Sequence, residues 1–178
     1  MKDMTVSKFC IKFDACKSGR VWAYKQTLLK SKAMMSDIWP LLIARPEDLR
    51  WAATREGVFS DKDLRLMACQ FVRETPLTNG RKVWDLLTDK RSRNAVIIAE
   101  KFANGEVTNA AMDAARAAAG SAAWDAAWAA AWAAAGDAAG AAAGAAAGDA
   151  ARAAAWAAAG AYQAHIILSY GNPFTKGV

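Results

Sequence analysis

The sequence predicts an all-α protein, in which a compact helical N-terminal bundle is followed by alanine-rich helices broken into at least one hairpin. Apolar residues recur at the three- and four-residue spacing of amphipathic helices before the repeat, and few segments alternate as strands do. The last third contains one alanine-dominated unit of twelve residues that occurs four times. We therefore expect a helical domain over 1–110, repeat helices packed on it over 111–170, and a tail over 171–178.

Capping residues, prolines and glycines define the helices predicted for the first domain. Ser31 caps the second of them, Pro46 takes the first position of the third, and Ser60 with Asp63 forms a capping-box pattern that starts the fourth. In chain order, we expect helices over 17–30, 31–42, 46–56 and 61–74, a short one around 84–87, and one that begins after Thr88 or Asp89 and stops before Asn104-Gly105; Thr108 then caps the start of the repeat.

The fourth predicted helix supplies much of the expected core. The residues predicted to face inwards are Leu64, Met67, Ala68, Phe71 and Val72. Cys69 lies on the same apolar side and is predicted to be a buried, unreactive thiol. The other cysteines are Cys10 and Cys16, and an odd number without a secretory signal favours reduced thiols and a cytoplasmic location.

Residues 113–160 form the repeat, and 31 of these 48 residues are alanine. Every fourth residue from Arg116 on is Trp, Arg or Gly, which the codons TGG, CGG and GGG can encode, so these positions are expected to be hypervariable. One straight helix of this length would extend for about 72 Å, far more than a compact protein of this size allows. We expect breaks where a glycine precedes an N-capping residue, at Gly120-Ser121, Gly136-Asp137 and Gly148-Asp149, with a hairpin near Gly136-Asp137.

Positive charge is concentrated before the repeat, with 20 Lys and Arg against 13 Asp and Glu over 1–112. A basic surface favours an anionic partner such as an acidic protein, a nucleotide or a nucleic acid, although charge that only maintains solubility is the alternative. No DNA-recognition motif is present, so specific DNA binding is not expected. The uncharged stretch 153–175 contains Gly, Asn and Pro and is only weakly apolar, so no membrane association is expected either.

No arrangement typical of catalysis or metal binding is found, so we predict a protein that is not an enzyme and needs no cofactor or metal. The single histidine, His165, lies among alanines and is expected at the surface or in packing. Cys10 and Cys16 lack a second ligand pair for zinc. The glycines of the repeat are spaced for helix packing and do not form a phosphate-binding loop.

Arginine beside tryptophan is the remaining candidate binding pattern, because both residue types are enriched at binding hot spots and can enclose a nucleotide by stacking and charge. The alternative is that the tryptophans belong to the core while the arginines extend from helix edges. The candidate binding residues are Arg20, Trp22, Arg50, Trp51, Arg55, Arg65, Arg91 and Arg93.

The order of several sequence blocks resembles a known family. The blocks are Cys10, Cys16, Gly19 and Trp22, then DLRWAATREGV (48–58), DKDLRLMACQFVR (61–73), LLTDKRSRNAVIIAEKFANGEVT (86–108), the alanine-rich tetrads and GNPF (171–174). Together they resemble the immunity proteins inferred from linkage to bacterial polymorphic toxins, whose relatives also occur in phages and planctomycetes. The resemblance implies an α-helical, non-enzymatic protein that neutralises a partner by binding. The sequence departs from that family at 47–50, where relatives are more apolar before the tryptophan.

Three functions are compatible with these observations. The leading hypothesis is a cytoplasmic inhibitor of immunity or counter-immunity type that binds a toxin or a defence protein. The second is sequestration of an anionic nucleotide in an Arg/Trp pocket. The third is a structural module whose repeat helices associate into a homo-oligomer.

Overall fold

The computed structural model describes residues 1–26, 32–76, 80–118 and 145–174. Within these segments the regular structure is helical, and no strand occurs, although two isolated antiparallel bridges join Thr5 to Met34 and Pro76 to Lys82. The predicted all-α fold is confirmed.

Helices cover most of the described residues, and two short 3-10 helices lie at Trp39–Ala44 and Val83–Leu86. The α-helices are α1 (Val6–Lys12), α2 (Lys17–Gln26), α3 (Met35–Ile38), α4 (Pro46–Ala53), α5 (Asp61–Glu74), α6 (Lys90–Ala103), α7 (109–118) and α8 (Ala145–Ser169). Helix α1 was not predicted, because seven residues with only two turns give a weak periodic signal. Thr5 caps it by accepting a hydrogen bond from the backbone N–H of Lys8.

Most of the predicted helix termini are confirmed. Ser60 caps α5, since its Oγ accepts the N–H of Asp63 at 3.1 Å and donates to the Asp63 carboxylate at 2.6 Å. Asp89 caps α6 with its side chain, and α6 ends before Gly105, whose φ of 76° is in the left-handed region. Thr108 Oγ1 accepts an N–H at the start of α7, as expected at the start of the repeat.

The second predicted helix is shorter than expected. Ser31 lies outside the described residues, and α3 begins only at Met35, because Met34 is extended and bridges to Thr5. After α3 the chain tightens into the 3-10 helix at Trp39–Ala44. Pro40 has no N–H with which to continue an α-helical ladder, which explains the change.

Helix α8 runs without interruption through Gly148-Asp149, so the break predicted there is wrong. A glycine costs about 1 kcal/mol relative to alanine within a helix, and the alanines on both sides favour the helix strongly enough to offset that cost. The breaks predicted at Gly120-Ser121 and Gly136-Asp137, with the hairpin, lie outside the described residues.

The chain divides into two compact units. The first unit comprises Met1–Leu64 with Gly160–Val178, and the second comprises Arg65–Ala159. Both ends of the chain therefore belong to the first unit. The domain boundaries expected at 110 and 170 stay a prediction.

Aromatic rings form the core of the first unit. Phe174, which is only 2% exposed, lies with its ring centroid 5.5 Å from that of Phe9 and 5.6 Å from that of Trp39. Asn172 fixes this end of the chain, because its side-chain amide donates to the Ser36 carbonyl at 2.8 Å and its Oδ1 accepts the Phe174 N–H at 3.0 Å. The C-terminal segment is thus an integral part of the core.

The end of α8 that belongs to the first unit packs against α4. Gly160 is buried, and a Cβ atom on it would lie 3.2 Å from Arg50 Nη1 and 3.5 Å from Pro46 Cβ. Arg50 also donates a hydrogen bond to Gln163 Oε1 at 3.1 Å. The last glycine of the repeat therefore permits close helix packing.

The second unit contains most of α5 and α6. Met67 and Cys69 are its buried residues on α5, and the Cys69 thiol donates to the Val96 carbonyl at 3.7 Å. Cys69 is therefore in the core as predicted. Ala68 was predicted to face the core but is exposed. Successive helix residues are about 100° apart, so the helix face that buries both Met67 and Cys69 lies opposite Ala68.

We predict that Phe174→Ala destabilises the protein by about 3–5 kcal/mol, because it removes a buried ring and leaves a cavity beside Phe9 and Trp39. Chemical denaturation measures the change in the free energy of unfolding. Ile11→Ala is the control, since Ile11 is 74% exposed and its loss should change stability by less than about 0.5 kcal/mol. Equal stability of the Phe174 variant and the wild type would contradict the assigned role.

Candidate functional site

The first unit contains a cavity of about 310 Å³ between α1, α2, α4 and the segment from α3 into the 3-10 helix. Its walls are mainly apolar, with contributions from Phe9, Ile38 and Leu42. Asp14, Cys16 and Glu47 line the same cavity and are exposed, so they mark its opening to solvent. We refer to this space as the α1–α4 cavity.

Two of the predicted binding residues meet at the α1–α4 cavity. Trp22 from α2 and Trp51 from α4 both line it, and both are half-buried. The Trp51 ring makes an edge-to-face contact with Phe9, with 6.0 Å between centroids. Two indoles that are held by the fold and still reach solvent form a rigid surface on which a ligand group can pack.

Three carboxylates contribute the negative charge of the cavity. Asp48 lies 2.8 Å from the Arg45 guanidinium and is paired with it. Asp14 and Glu47 have no ion-pair partner within the described residues. The opening of the cavity therefore has the opposite sign to the net charge of +6 on the whole chain.

Asp14 has an unusual backbone conformation, with φ of 50°. It follows the end of α1, where the Ala15 N–H reaches back to the Cys10 carbonyl at 2.9 Å. Glycine is the usual residue at this left-handed position, because a Cβ atom is strained there. The chain thus keeps a carboxylate at the cavity opening where a glycine would be less strained.

Two thiols of contrasting character also line the cavity. The Cys16 thiol is exposed at the start of α2, 3.3 Å from Ser18 Oγ, and it accepts the Gly19 N–H at 3.4 Å. These hydrogen bonds, that from Ser18 above all, lower the pKa of Cys16, whereas burial raises the pKa of Cys10. A Cβ atom on Gly19 would make ordinary van der Waals contacts here, 3.4 Å from Cys16 Sγ and 3.5 Å from Asp48 Oδ2.

The predicted arginines of the first unit serve mainly internal contacts. Arg55 lies 5.0 Å above the Trp51 ring and donates from Nε to the Trp51 carbonyl at 3.0 Å. Arg50 donates its hydrogen bond to Gln163 on α8. Arg20 is half-buried on α2, and its positive charge lowers the pKa of Cys10 against the larger effect of burial.

The remaining predicted arginines belong to the second unit. Arg65 lies 4.6 Å from the Phe102 ring centroid. Arg91 pairs with Asp89, 2.8 Å away, and this interaction lowers the pKa of the Asp89 carboxyl.

Arg93 forms part of a cluster around one indole. It lies 5.4 Å from the Trp84 centroid, and Arg73 lies 4.4 Å from the same ring. The Arg73 guanidinium donates hydrogen bonds to both carboxylate oxygens of Glu100. Arg93 Nε is buried without a hydrogen-bond partner among the described residues.

Sequence reasoning missed the carboxylates of the cavity. Glu47 and Asp48 follow Pro46 in the first turn of α4, where acidic residues are favoured by the helix dipole whether or not they belong to a site. The one signal at Asp14 is its residue type, because aspartate tolerates the left-handed conformation that follows the end of α1 better than most residues do. Without α1 in the prediction, that signal could not be recognised.

No group of three or more His, Cys, Asp or Glu side chains within the described residues is placed to hold a metal ion. No helix in the described segments is both long and apolar enough to span a membrane. His165 is exposed on α8.

We predict that Asp14→Gly stabilises the fold by about 0.5–1 kcal/mol, because glycine relieves the left-handed strain. The midpoint of urea unfolding measures the gain. Asp14→Asn is the matched control, since asparagine tolerates this conformation as well as aspartate does and should leave stability unchanged. A lower midpoint for the glycine variant would show that the carboxylate itself stabilises the fold.

We predict that Cys16 reacts with iodoacetamide faster than Cys10 and Cys69, because its thiol is exposed and its pKa is lowered, while burial raises the pKa of the other two. Since the thiolate is the reactive form, the rate at Cys16 should reach its plateau at a lower pH than for an ordinary cysteine. Mass spectrometry of the labelled peptides measures the rates. Ser18→Ala should move the Cys16 profile to higher pH, and an unchanged profile would contradict the role of this hydrogen bond.

Comparison of the chain with protein-family models, with curated proteins and with solved structures finds no match. The family resemblance in the sequence blocks thus remains an expectation.

Proposed function

We propose that the protein is a non-enzymatic inhibitor of immunity or counter-immunity type, which binds a toxin or a defence protein and blocks it. The observation that supports this proposal is the α1–α4 cavity, with Trp22 and Trp51 at its lining. Tryptophans held in a partly open pocket are typical anchors of protein–protein interfaces.

The size of the cavity also favours a protein partner. Pockets for small-molecule ligands range from about 300 to 1,000 Å³, and the α1–α4 cavity, at about 310 Å³, is at the lower limit. Such a volume suits one long side chain of a partner better than a whole nucleotide. Specific binding then requires further contacts on the surrounding surface.

Exposed apolar residues on the helices of the cavity can supply such contacts. Ile11 on α1 is 74% exposed, and Val21 on α2 is 44% exposed. Val21 and Trp22 also line a shallow depression with Lys17, Lys25 and Arg45. An aromatic pocket beside apolar and charged surface residues has the composition of a protein interface.

A quantitative pull-down tests this proposal. Tagged wild-type protein is expected to capture one specific partner from a lysate of its native cells, and Trp22→Ala should reduce the amount captured at least tenfold. Leu86→Ala is the matched control, because Leu86 is an exposed apolar residue of the second unit and its loss should not affect capture.

The captured partner must also be inhibited. When it is purified, its toxic or defence activity should be lost on addition of equimolar wild-type protein and retained with the Trp22 variant. A wild-type protein that captures no specific partner, or a partner that stays fully active in the complex, would contradict the proposal.

A second candidate function is sequestration of an anionic nucleotide at the Arg73–Trp84–Arg93 cluster of the second unit. The observation that favours it is the buried Arg93 Nε, which lacks an acceptor within the described residues. A thermal-shift screen against nucleotides tests it, and any stabilisation should be reduced by Arg93→Gln. Absence of a shift with every nucleotide would remove this candidate.

Self-association through the repeat is a third candidate, which depends largely on residues that the structure does not describe. Analytical ultracentrifugation decides it. A monomer over a wide range of protein concentrations would end it.

A further inference from the structure

The charge of the α1–α4 cavity limits the chemistry of what can enter it. Among its polar lining residues are the carboxylates of Asp14, Glu47 and Asp48, and no arginine or lysine of the described part of the chain lines it. Arg45 pairs with Asp48, which leaves Asp14 and Glu47 without an ion-pair partner in the described segments. At the side of the opening formed by Asp14 and Glu47 a cation is therefore favoured over an anion, while Lys17, Lys25 and Arg45 line the neighbouring depression that shares Trp22.

We propose that the α1–α4 cavity receives a basic side chain, arginine or lysine, which the protein partner of the proposed function inserts as its anchor. The apolar part of that side chain packs against Trp22 and Trp51, and its charged end lies at the opening near Asp14 and Glu47. The identification of a protein partner as the source of the side chain rests on the proposed function. The basic character of that side chain is inferred from the cavity lining alone.

The two indoles strengthen the case for a cation. A guanidinium or ammonium group is attracted to the face of a tryptophan ring, and a long aliphatic stem packs well on aromatic carbon. This chain already uses the same interaction, because Arg45 lies 6.0 Å from the Trp22 centroid and Arg55 lies 5.0 Å from that of Trp51. A cation from a partner would combine stacking on Trp22 or Trp51 with an ion pair to Asp14 or Glu47.

The strained position of Asp14 agrees with this assignment. Asp14→Gly should relieve the backbone yet remove one of the two unpaired carboxylates from the opening. Stability and cation binding should therefore change in opposite directions in this variant. If the Asp14 carboxylate only stabilised the fold, Asp14→Gly would not increase stability while weakening cation binding.

Binding of small probes to the intact protein tests the chemistry without the partner. N-acetyl-arginine amide and N-acetyl-lysine amide should bind saturably, with shifts of the indole Nε1–H signals of Trp22 and Trp51 in NMR spectra. N-acetyl-citrulline amide has nearly the shape of the arginine probe but no charge, and it should bind about tenfold more weakly. The double variant Asp14→Asn, Glu47→Gln should weaken arginine binding about tenfold and leave citrulline binding unchanged.

Each outcome has a defined meaning. Equal affinity for the arginine and citrulline probes, or unchanged arginine binding by the double variant, overturns the inference even if a Trp22-dependent partner is captured. Charge-dependent probe binding without any captured partner supports the cavity chemistry and contradicts the proposed function.

A second copy of this chain is the competing source of a basic side chain. Ultracentrifugation of the wild type and the double variant distinguishes it. Self-association of the wild type that the double variant loses would assign the cavity to a second copy and overturn the assignment to a partner.

Discussion

The burial of Phe174 between Phe9 and Trp39 is the contact on which the first unit depends. This unit is built from two chain segments that are separated by about ninety-five residues of sequence, and Phe174 joins them. Phe9 has a second role, because its ring also contacts Trp51 and forms part of the cavity wall. The packing that closes the fold and the shape of the candidate site are therefore set by the same side chain.

The electrostatics of the protein differ between the whole chain and the cavity. A net charge of +6 suggests an anionic partner, but several arginines are already engaged, as Arg50 is with Gln163 and Arg73 with Glu100. Three of the seventeen carboxylates, those of Asp14, Glu47 and Asp48, line one cavity. Because interactions between charges weaken steeply with distance and salt, the local arrangement determines which group can dock, and the overall count does not.

The helical architecture could be predicted largely from local signals. Ser60, Asp89 and Thr108 act within one helical turn, so their capping roles can be read from neighbouring residues alone. Helix α1 and the continuation of α8 through Gly148 could not be predicted in this way. The first is a short helix stabilised by burial of Phe9, and the second depends on a balance between one glycine and many alanines.

The candidate site was only half accessible to sequence reasoning. Trp22 and Trp51 were identified by residue type, and both line the cavity. Asp14 and Glu47 are thirty-three positions apart and come together only through the packing of α1, α2 and α4. No local sequence pattern predicts that these two carboxylates line one cavity. The arginine-rich composition instead favoured an anionic partner, whose charge is opposite to that of the group that the cavity suits.

The position of Phe174 downstream of the repeat has a genetic consequence. A DNA tract of near-identical codons gains and loses segments during copying, and a gain or loss of whole codons leaves the downstream frame intact. A change by one or two bases would replace every residue that follows, including Ile167 and Phe174, which are both buried in the first unit. Such a product would lack the ring that closes the fold and would be open to proteolysis. The burial of Phe174 thus makes the folding of the first unit depend on the reading frame of the repeat that precedes it.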